Sequence, residues 1–516
     1  MNRLLKTQVA CLFIGAATVA GSGNAAAQGA RPGNSGVTAV PKVTGPLPVT
    51  SDSFPFLAAD RNLQPTDLKK YGYVEEEFIV TGAANVYDWA ADGALTVKTP
   101  GVPYGARILV RRPADPGRFS GDVIVESLNA TRRFDWPWIW GYSHDGFLQH
   151  GDAWVGITMP ASSAALKQFN PARYAAVSFP NPSPCPPAGN APAPTFEDGL
   201  RWDAISQVGA LLKSNVASRP LAGLRVEAIY LTQGQSPDMM AYINAIHSHA
   251  NLANGKPVYD GYLVKQPGNA GRINQCAPAL AAGDPRQATI KAINVPVIAV
   301  VAQGEVPGSA PWRRADSDEP GSRFRLYEIA GGSHIELASY KGFPLVQDQA
   351  AAGIMPAGTN EWPFAAKCDP DIPLDVVPIM SYAFDAAFAN LQQWVRKGTP
   401  PPRAARIELK DAGTKDVSVV TDQAGNGVGG VRSPYVDLPV ATYIPVSTGP
   451  GNCREMGHKT DFDAARIQAL YGTEKAYADK VAKSVDSLVK ERWLTKADGE
   501  KIKRAPAAAV RGGANH

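Results

Sequence analysis

The chain has 516 residues, of which 44% are hydrophobic and 19% are charged, and its formal net charge is +4. A chain of this length can bury a large core, and length alone allows more than one domain. A net charge this small is not typical of proteins that bind polyanions, so we exclude nucleic acid as a partner.

The N-terminus has the three parts of a secretory signal peptide. Arg3 and Lys6 make its start positive, residues 9–20 are apolar or small, and Ala25-Ala26-Ala27 precedes Gln28 as an A-x-A cleavage site. We therefore predict a signal peptide over residues 1–27 and a mature protein that is periplasmic or secreted. The apolar run is too short to span a bilayer, so no stable membrane anchor is expected; the alternative is an uncleaved anchor.

Cysteine usage agrees with export. Cys11 lies in the predicted signal peptide, which leaves four cysteines in the mature chain: Cys185, Cys276, Cys368 and Cys453. Four cysteines in an exported chain indicate two disulfides, for which three pairings exist. We favour Cys185–Cys276 and Cys368–Cys453, because each pair would join one loop-rich region to its near neighbour. The alternative is four buried free thiols. No C-x-x-C metal pattern occurs, and we expect neither a metal nor a cofactor.

The order of patterns along the chain predicts one large domain. Residues 28–52 are rich in Gly, Pro, Ser and Val and indicate an extended linker, which leaves residues 53–516 as a single domain with insertions. Its first part predicts an antiparallel meander of three short strands, over residues 74–82, 94–99 and 104–112.

An alternation of strands and helices follows, which predicts a mainly parallel sheet covered by helices. Strands are expected at 122–129, 153–159, 226–231, 295–302 and 323–329, and helices at 201–213 and 379–396. Residues 336–375 are rich in Pro, Gly and aromatics and indicate an insertion or lid. A C-terminal helix is predicted from an apolar stripe that consists of Tyr477, Val481, Val485 and Leu488.

The strongest functional signal lies within residues 226–251. A buried strand there turns sharply into a helix with Ser236 at the turn, which is the layout of a nucleophile elbow. Gly234 supplies the small residue two positions earlier. However, Asp238 stands where a second small residue is usual, and Pro237 lacks the N–H that normally forms half of the oxyanion hole.

Acyl transfer by a serine needs a base and an acid that orients it. Glu305 and His334 each follow a predicted strand, so Ser236, Glu305 and His334 are expected at one edge of the sheet, in the chain order Ser, acid, His. Asp316 and Asp318 fall between the same two strands and are alternative acids. Each residue also has a simpler interpretation, since Ser236 with Pro237 and Asp238 makes a good helix start.

The oxyanion hole needs two donors aimed at the developing charge. The loop at Asn129 and Ala130 follows a predicted strand and is placed like the usual first donor. Because Pro237 removes the usual second donor, we expect the Asp238 N–H or the Asn129 side chain to replace it.

Five segments are distinctive when taken together, and they are YVEEEF at 73–78, RILVRRP at 107–113, VIVESLN at 123–129, RLYEIAGGSH at 325–334 and GNGVGGVR at 425–432. With these segments the chain resembles a family of bacterial exported proteins with an α/β-hydrolase domain. The resemblance implies an α/β-hydrolase fold, with a mainly parallel sheet, an N-terminal β meander, an insertion after the His334 loop and C-terminal helices. It also implies an activity of the serine-hydrolase or esterase type.

The turn at Ser236 departs from the G-x-S-Q-[ST]-[AG] pattern of this family. One alignment makes Ser236 the nucleophile, and a shifted one puts Gly234 at the nucleophile position, which would remove catalysis by this route. We therefore expect an exported serine hydrolase that cleaves a small-molecule carboxylic ester through Ser236, His334 and Glu305. The alternative is a non-catalytic binding protein on the same scaffold.

Overall fold

The computed structural model describes residues 36–186, 194–233, 236–281, 283–287, 289–354, 368, 378–449 and 453–505. The predicted signal peptide lies outside the described residues, as do residues 355–367 and 369–375 of the predicted insertion. The described part of the insertion contains a 3₁₀ segment, Leu337–Gly342, and a short α-helix, Val346–Ala351. A lid role for this segment stays a prediction.

The main sheet has nine strands, which are β1 (Lys42–Thr44), β2 (Tyr73–Trp89), β3 (Leu95–Pro113), β4 (Asp122–Ser127), β5 (Ala153–Ile157), β6 (Ala228–Gln233), β7 (Gly261–Lys265), β8 (Val297–Ala302) and β9 (Phe324–Ile329). Their order is β1-β2-β3-β5-β4-β6-β7-β8-β9. The pairings β1–β2, β2–β3 and β3–β5 are antiparallel, and every pairing from β5 through β4 to β9 is parallel. The predicted mainly parallel sheet with an antiparallel N-terminal part is confirmed.

Two short hairpin-like sheets follow the main sheet, β10 (Leu409–Lys410) with β11 (Ser418–Val419) and β12 (Ala441–Ile444) with β13 (His458–Asp461). The α-helices are α1 (Trp138–His150), α2 (Ser163–Phe169), α3 (Arg201–Lys213), α4 (Ser236–Ala241), α5 (Val306–Ser309), α6 (Val346–Ala351), α7 (Ile379–Lys397), α8 (Pro434–Asp437), α9 (Ala464–Tyr471), α10 (Glu474–Lys490) and α11 (Lys496–Arg504). None of these helices combines the length and apolar character that crossing a bilayer requires.

The N-terminal strands differ from the prediction in two ways. The second and third predicted strands are one continuous strand, β3, because Pro100 and Gly101 lie where the β2–β3 register shifts, and such irregularities tolerate both residue types. In addition, β1 falls inside the predicted linker and pairs with β2, so residues 42–44 belong to the sheet.

The central strands are apolar because helices cover the sheet. All residues of β4, β6 and β8 are buried, and α7 packs on β7, β8 and β9. The carboxylate of Glu126, in β4, accepts hydrogen bonds from the N–H groups of Ile139 (2.8 Å) and Trp140 (3.0 Å). Burial raises the pKa of this carboxyl to about 7, and its two bonds to N–H groups in the first turn of α1 hold that helix over the sheet.

Two disulfides link loops outside the main sheet. Cys185 is bonded to Cys276 with a Cα–Cα distance of 5.3 Å, and Cys368 is bonded to Cys453 with a Cα–Cα distance of 5.4 Å. The favoured pairing is confirmed.

A fully buried ionic cluster ties the antiparallel strands to the segment after α2. Glu77 in β2 accepts from Arg107 Nε at 2.6 Å, from Arg173 Nε at 2.5 Å and from the Tyr174 hydroxyl at 2.9 Å. The side chains of Glu77 and Arg107 are 0% exposed. Removing one member of such a cluster leaves buried charge without compensation.

We predict that Glu77→Gln lowers the free energy of unfolding by about 3–5 kcal/mol, because Arg173 loses its carboxylate partner and Arg107 keeps only the more distant Asp135, at 3.6 Å. Urea denaturation of the mature protein measures this loss. The matched control is Glu76→Gln in the same strand, whose pair with Arg112 is partly exposed and should be worth no more than about 1 kcal/mol. Equal losses in the two variants would contradict the role of the buried cluster.

Candidate active site

Three neighbouring parallel strands bring the central polar residues of the site together. Lys265 is the last residue of β7, Glu305 lies just past β8, and His334 lies just past β9. Because β7, β8 and β9 are adjacent and parallel, their carboxyl ends share one edge of the sheet, where open α/β folds bind their ligands.

Glu305 is the hub of this group. Its Oε1 accepts hydrogen bonds from both His334 Nδ1 and Lys265 Nζ, and its Oε2 accepts the Ala302 N–H at 2.8 Å. Lys265 Nζ also lies 3.1 Å from His334 Nδ1. The side chains of Lys265 and Glu305 are each only 3% exposed, whereas that of His334 is 22% exposed. The imidazole is therefore the member of the group that meets solvent.

The electrostatics keep Glu305 ionised. Burial by itself raises the pKa of this carboxyl, but the positive charge of Lys265 and the bond to His334 outweigh burial and lower the pKa to about 2. With an ionised Glu305, the hydrogen at Nδ1 belongs to His334, so Nε2 carries the lone pair that a general base needs.

Aromatic side chains of α1 form one wall beside this group. The rings of Trp138 and His334 meet edge to face with centroids 4.7 Å apart, and Lys265 Nζ lies 4.7 Å from the Trp138 centroid. The Tyr142 hydroxyl donates to the His334 carbonyl at 2.8 Å. These contacts fix the ring orientation and cover the ammonium group with an aromatic face.

A tight turn after β9 positions His334 beside Glu305. Gly331 has φ +77°, a conformation that side chains rarely adopt, and a Cβ there would lie 2.9 Å from Val436. The Gly331 N–H donates to Gln303 Oε1 at 2.8 Å, which joins the His334 loop to the loop that carries Glu305.

Ser236 makes its hydrogen bond away from the imidazole. It is the first residue of α4, and its Oγ donates to the carbonyl of Gln266, the residue after Lys265. Within the described ranges, no hydrogen bond joins Ser236 to His334. β6 ends at Gln233, and Gly234, the nucleophile position of the shifted alignment, lies outside the described residues. The structure thus brings Glu305 and His334 together and leaves Ser236 turned toward the loop after β7.

Gln266 itself has an unusual backbone. Its φ is +53°, in the left-handed region, where a non-glycine residue costs about 1–2 kcal/mol. Its N–H donates to the Val300 carbonyl at 2.8 Å. Its carbonyl accepts the hydrogen bond from Ser236 Oγ.

The predicted oxyanion residues lie in two places. The Asn129 N–H pairs with the Trp136 carbonyl at 2.9 Å, and Asn129 Oδ1 accepts the Thr131 N–H at 2.9 Å. The Asn129 N–H is thus occupied by the Trp136 carbonyl. The Ala130 N–H stays a predicted oxyanion donor. The Asp238 side chain pairs with Arg201 at 3.0 Å and is buried in the first turn of α4.

The two alternative acids are bound elsewhere. Asp316 accepts from Arg406 at 2.6 Å, and Asp318 accepts from Arg325 at 2.5 Å and from Arg403 at 2.6 Å. Of the three predicted acids, Glu305 is the one that is hydrogen-bonded to His334.

Lys265 and Trp138 were not among the predicted site residues. The signal for Lys265 is a single charge at the end of the short apolar run Gly261–Val264, a strand that the sequence analysis did not identify. Trp138 begins α1, whose first seven residues are all buried, so their periodicity gives no distinct face.

Residues 43–504 match the family described as alpha/beta hydrolase domain. The chain belongs to this family. The match covers most of the chain, so the resemblance to a family with an α/β-hydrolase domain and the fold it implied are confirmed, whereas a bacterial, exported origin stays a prediction. The chain matches none of the curated proteins.

Among solved structures, the chain is similar to a CE15 glucuronoyl esterase from Teredinibacter turnerae T7901, with 12% identity, coverage of 58% of this chain and 75% of that one, and a TM-score of 0.27. It is also similar to a putative dienelactone hydrolase from Klebsiella pneumoniae subsp. pneumoniae MGH 78578, with 12% identity, coverage of 53% and 95%, and a TM-score of 0.24. The family membership rests on the match over residues 43–504 and not on these distant similarities.

We predict that ionised Glu305 stabilises the folded protein above the ordinary glutamate pKa of 4.5 and that this contribution is lost as the pH falls toward the folded-state pKa of about 2. The full contribution is about 3 kcal/mol. Urea unfolding between about pH 6 and about pH 3 should show the advantage of wild type over Glu305→Gln shrinking on acidification. The exposed-site control Glu408→Gln should follow wild type, and a Glu305→Gln difference that stays constant with pH would contradict this prediction.

Proposed function

We propose that this protein is a carboxylic-ester hydrolase in which His334 is the general base, Glu305 orients it and Ser236 is the nucleophile. The observation that supports this most is the His334–Glu305 hydrogen bond at the carboxyl edge of the parallel sheet. That bond uses Nδ1, so Nε2 remains to take a proton. The substrate would be a small-molecule ester.

In this mechanism, Ser236 first exchanges its hydrogen bond with the Gln266 carbonyl for one with His334 Nε2. Oγ then attacks the ester carbonyl carbon while Nε2 takes the hydroxyl proton. The tetrahedral intermediate expels the alcohol, which receives that proton from the imidazolium. Water, deprotonated by Nε2, then attacks the acyl-enzyme, and the carboxylic acid leaves as Oγ regains its proton.

The oxyanion would be held by the Ala130 N–H and by a donor from the start of α4. Pro237 supplies none, so Asp238 N–H is the candidate one residue further on. Loss of one oxyanion donor typically lowers turnover about 10²–10³-fold, so we expect a slow enzyme rather than an inactive one.

A second candidate is a non-catalytic binding protein on the same scaffold. The Ser236–Gln266 hydrogen bond supports it, since a serine held by a backbone carbonyl at the start of a helix is also an ordinary structural residue. Gly234, which directly follows β6, would then occupy the nucleophile position without a side chain.

Labelling with a fluorophosphonate separates the two candidates. We expect the wild-type mature protein to be labelled at Ser236, and we expect Ser236→Ala and His334→Ala to lose the label because one lacks the nucleophile and the other lacks the base. Peptide mass spectrometry locates the adduct. The exposed-serine control Ser487→Ala should label like wild type. An unlabelled wild type that also fails to hydrolyse simple aryl esters would favour the binding protein.

Restoring the missing N–H gives an independent prediction. Pro237→Gln and Pro237→Ala both supply a backbone donor next to Ser236, so each should raise ester turnover, by as much as about 10²-fold if that donor reaches the oxyanion. Steady-state kinetics with one aryl ester measure the gain. Agreement between the two variants would attribute it to the N–H rather than to the new side chain, and no gain in either would count against a rate-limiting oxyanion hole.

We also infer export to the periplasm or the medium. The disulfides Cys185–Cys276 and Cys368–Cys453 support this, because such bonds persist in oxidising compartments. The N-terminal signal pattern over residues 1–27 points the same way. N-terminal sequencing of the protein from its native source should begin near Gln28, and an intact N-terminus would contradict cleavage.

A further inference from the structure

Lys265 is the charged residue of the site to which the proposed mechanism gives no role. Its side chain is 3% exposed, and its ammonium group is hydrogen-bonded to the same Glu305 oxygen that accepts the His334 Nδ1–H. In the usual triad the carboxylate serves the histidine alone. Here one negative charge is shared by two nitrogen groups.

The distance between these two groups decides what Lys265 does. Its Nζ lies 3.1 Å from His334 Nδ1. When His334 takes a proton, two positive charges therefore face each other at this distance beside a single carboxylate. A like charge so close disfavours the charged form of a titrating group.

We propose that Lys265 is a positioning residue that fixes the Glu305 carboxylate against the imidazole and places its ammonium group where it opposes a second positive charge on the ring. Both effects belong to the folded protein whether or not it is an enzyme. Their meaning for catalysis rests on the proposed ester hydrolysis, where Lys265 would keep His334 aligned through Glu305 and make the imidazolium of each step shorter-lived.

Other groups around His334 are accounted for. From α1 it faces the Trp138 ring and the Tyr142 hydroxyl, which donates to the His334 carbonyl. The Glu336 carboxylate, two residues on, accepts the Met380 N–H at the start of α7 at 2.6 Å. His458 is hydrogen-bonded to Ser447 and lines a small cavity with Glu336. Lys265 is thus the cation in direct contact with the His334 ring among the described residues.

The test is the titration of His334 in the intact, substrate-free protein, followed by NMR with histidine labelled at Cε1. The chain has seven histidines, and His334→Ala assigns the signal. In Lys265→Met the pKa of His334 should rise by about one unit or more, because the opposing charge is gone while Glu305 remains. Lys265→Arg keeps the charge and should leave the titration within a few tenths of a unit of wild type.

Lys265→Gln is the second neutral variant, because its amide can still donate to Glu305 if the methionine variant does not fold. It should show the same upward shift. An unchanged or lowered His334 pKa in the folded neutral variants would overturn the proposal, and so would an equal shift in Lys265→Arg.

The labelling reaction gives a separate readout. The acid limb of the pH profile for fluorophosphonate labelling should move upward with the His334 pKa in Lys265→Met. A shifted titration without any labelling would leave the charge effect intact and count against ester hydrolysis. Labelling with an unshifted titration would support hydrolysis and reject the role of Lys265.

Discussion

The Glu305 carboxylate is the interaction on which the site depends. It is buried, it is held in place by the Ala302 N–H, and it binds Lys265 and His334 through one oxygen. Buried ion pairs are stable only when nearly every polar atom is satisfied, and here the backbone donor and the two side chains meet that condition. The same arrangement orients the imidazole and brings the Lys265 ammonium group to 3.1 Å from Nδ1.

The last residue of β7 and the residue after it contact the side chains proposed for catalysis. Lys265 contacts the acid–base pair, and Gln266 holds Ser236 by its carbonyl from a left-handed conformation. Strained backbone at a candidate site persists only when its surroundings enforce it, and the Gln266 N–H is tied to β8 at Val300. The end of β7 and the residue after it therefore contact both the Glu305–His334 pair and Ser236.

The sequence predicted those parts of the fold that depend on local pattern. The apolar runs within β4, β6 and β8 are visible because parallel strands are buried on both faces, and β9 adds Arg325 and Glu328 to its apolar residues. Glu305 and His334 were found because each follows one of these predicted strands. The sequence does not predict β7, because this strand is only five residues long, Gly261–Lys265. Lys265 is therefore not predicted as a site residue. The continuity of β3 through Pro100 and Gly101 also required the pairing with β2, which no local pattern encodes.

The direction of the Ser236 side chain could not be predicted from the sequence, for a different reason. The same three residues, Ser236-Pro237-Asp238, make a helix start and a defective elbow, and only tertiary contacts select between them. One such contact is the Gln266 carbonyl, and the other is Arg201, which pairs with Asp238 at 3.0 Å. Both come from elements distant in sequence from the turn.

The residues that hold the helices and strands together differ from those proposed for catalysis. Glu126 caps α1, Glu336 caps α7, and Glu77 joins β2 to Arg107 and Arg173. A chain can therefore keep the whole alpha/beta hydrolase domain while its nucleophile turn changes, since the fold does not enforce the function. Family membership follows from the scaffold. Catalysis, as proposed, depends on whether the Ser236 hydroxyl can replace its hydrogen bond to the Gln266 carbonyl with one to His334 Nε2.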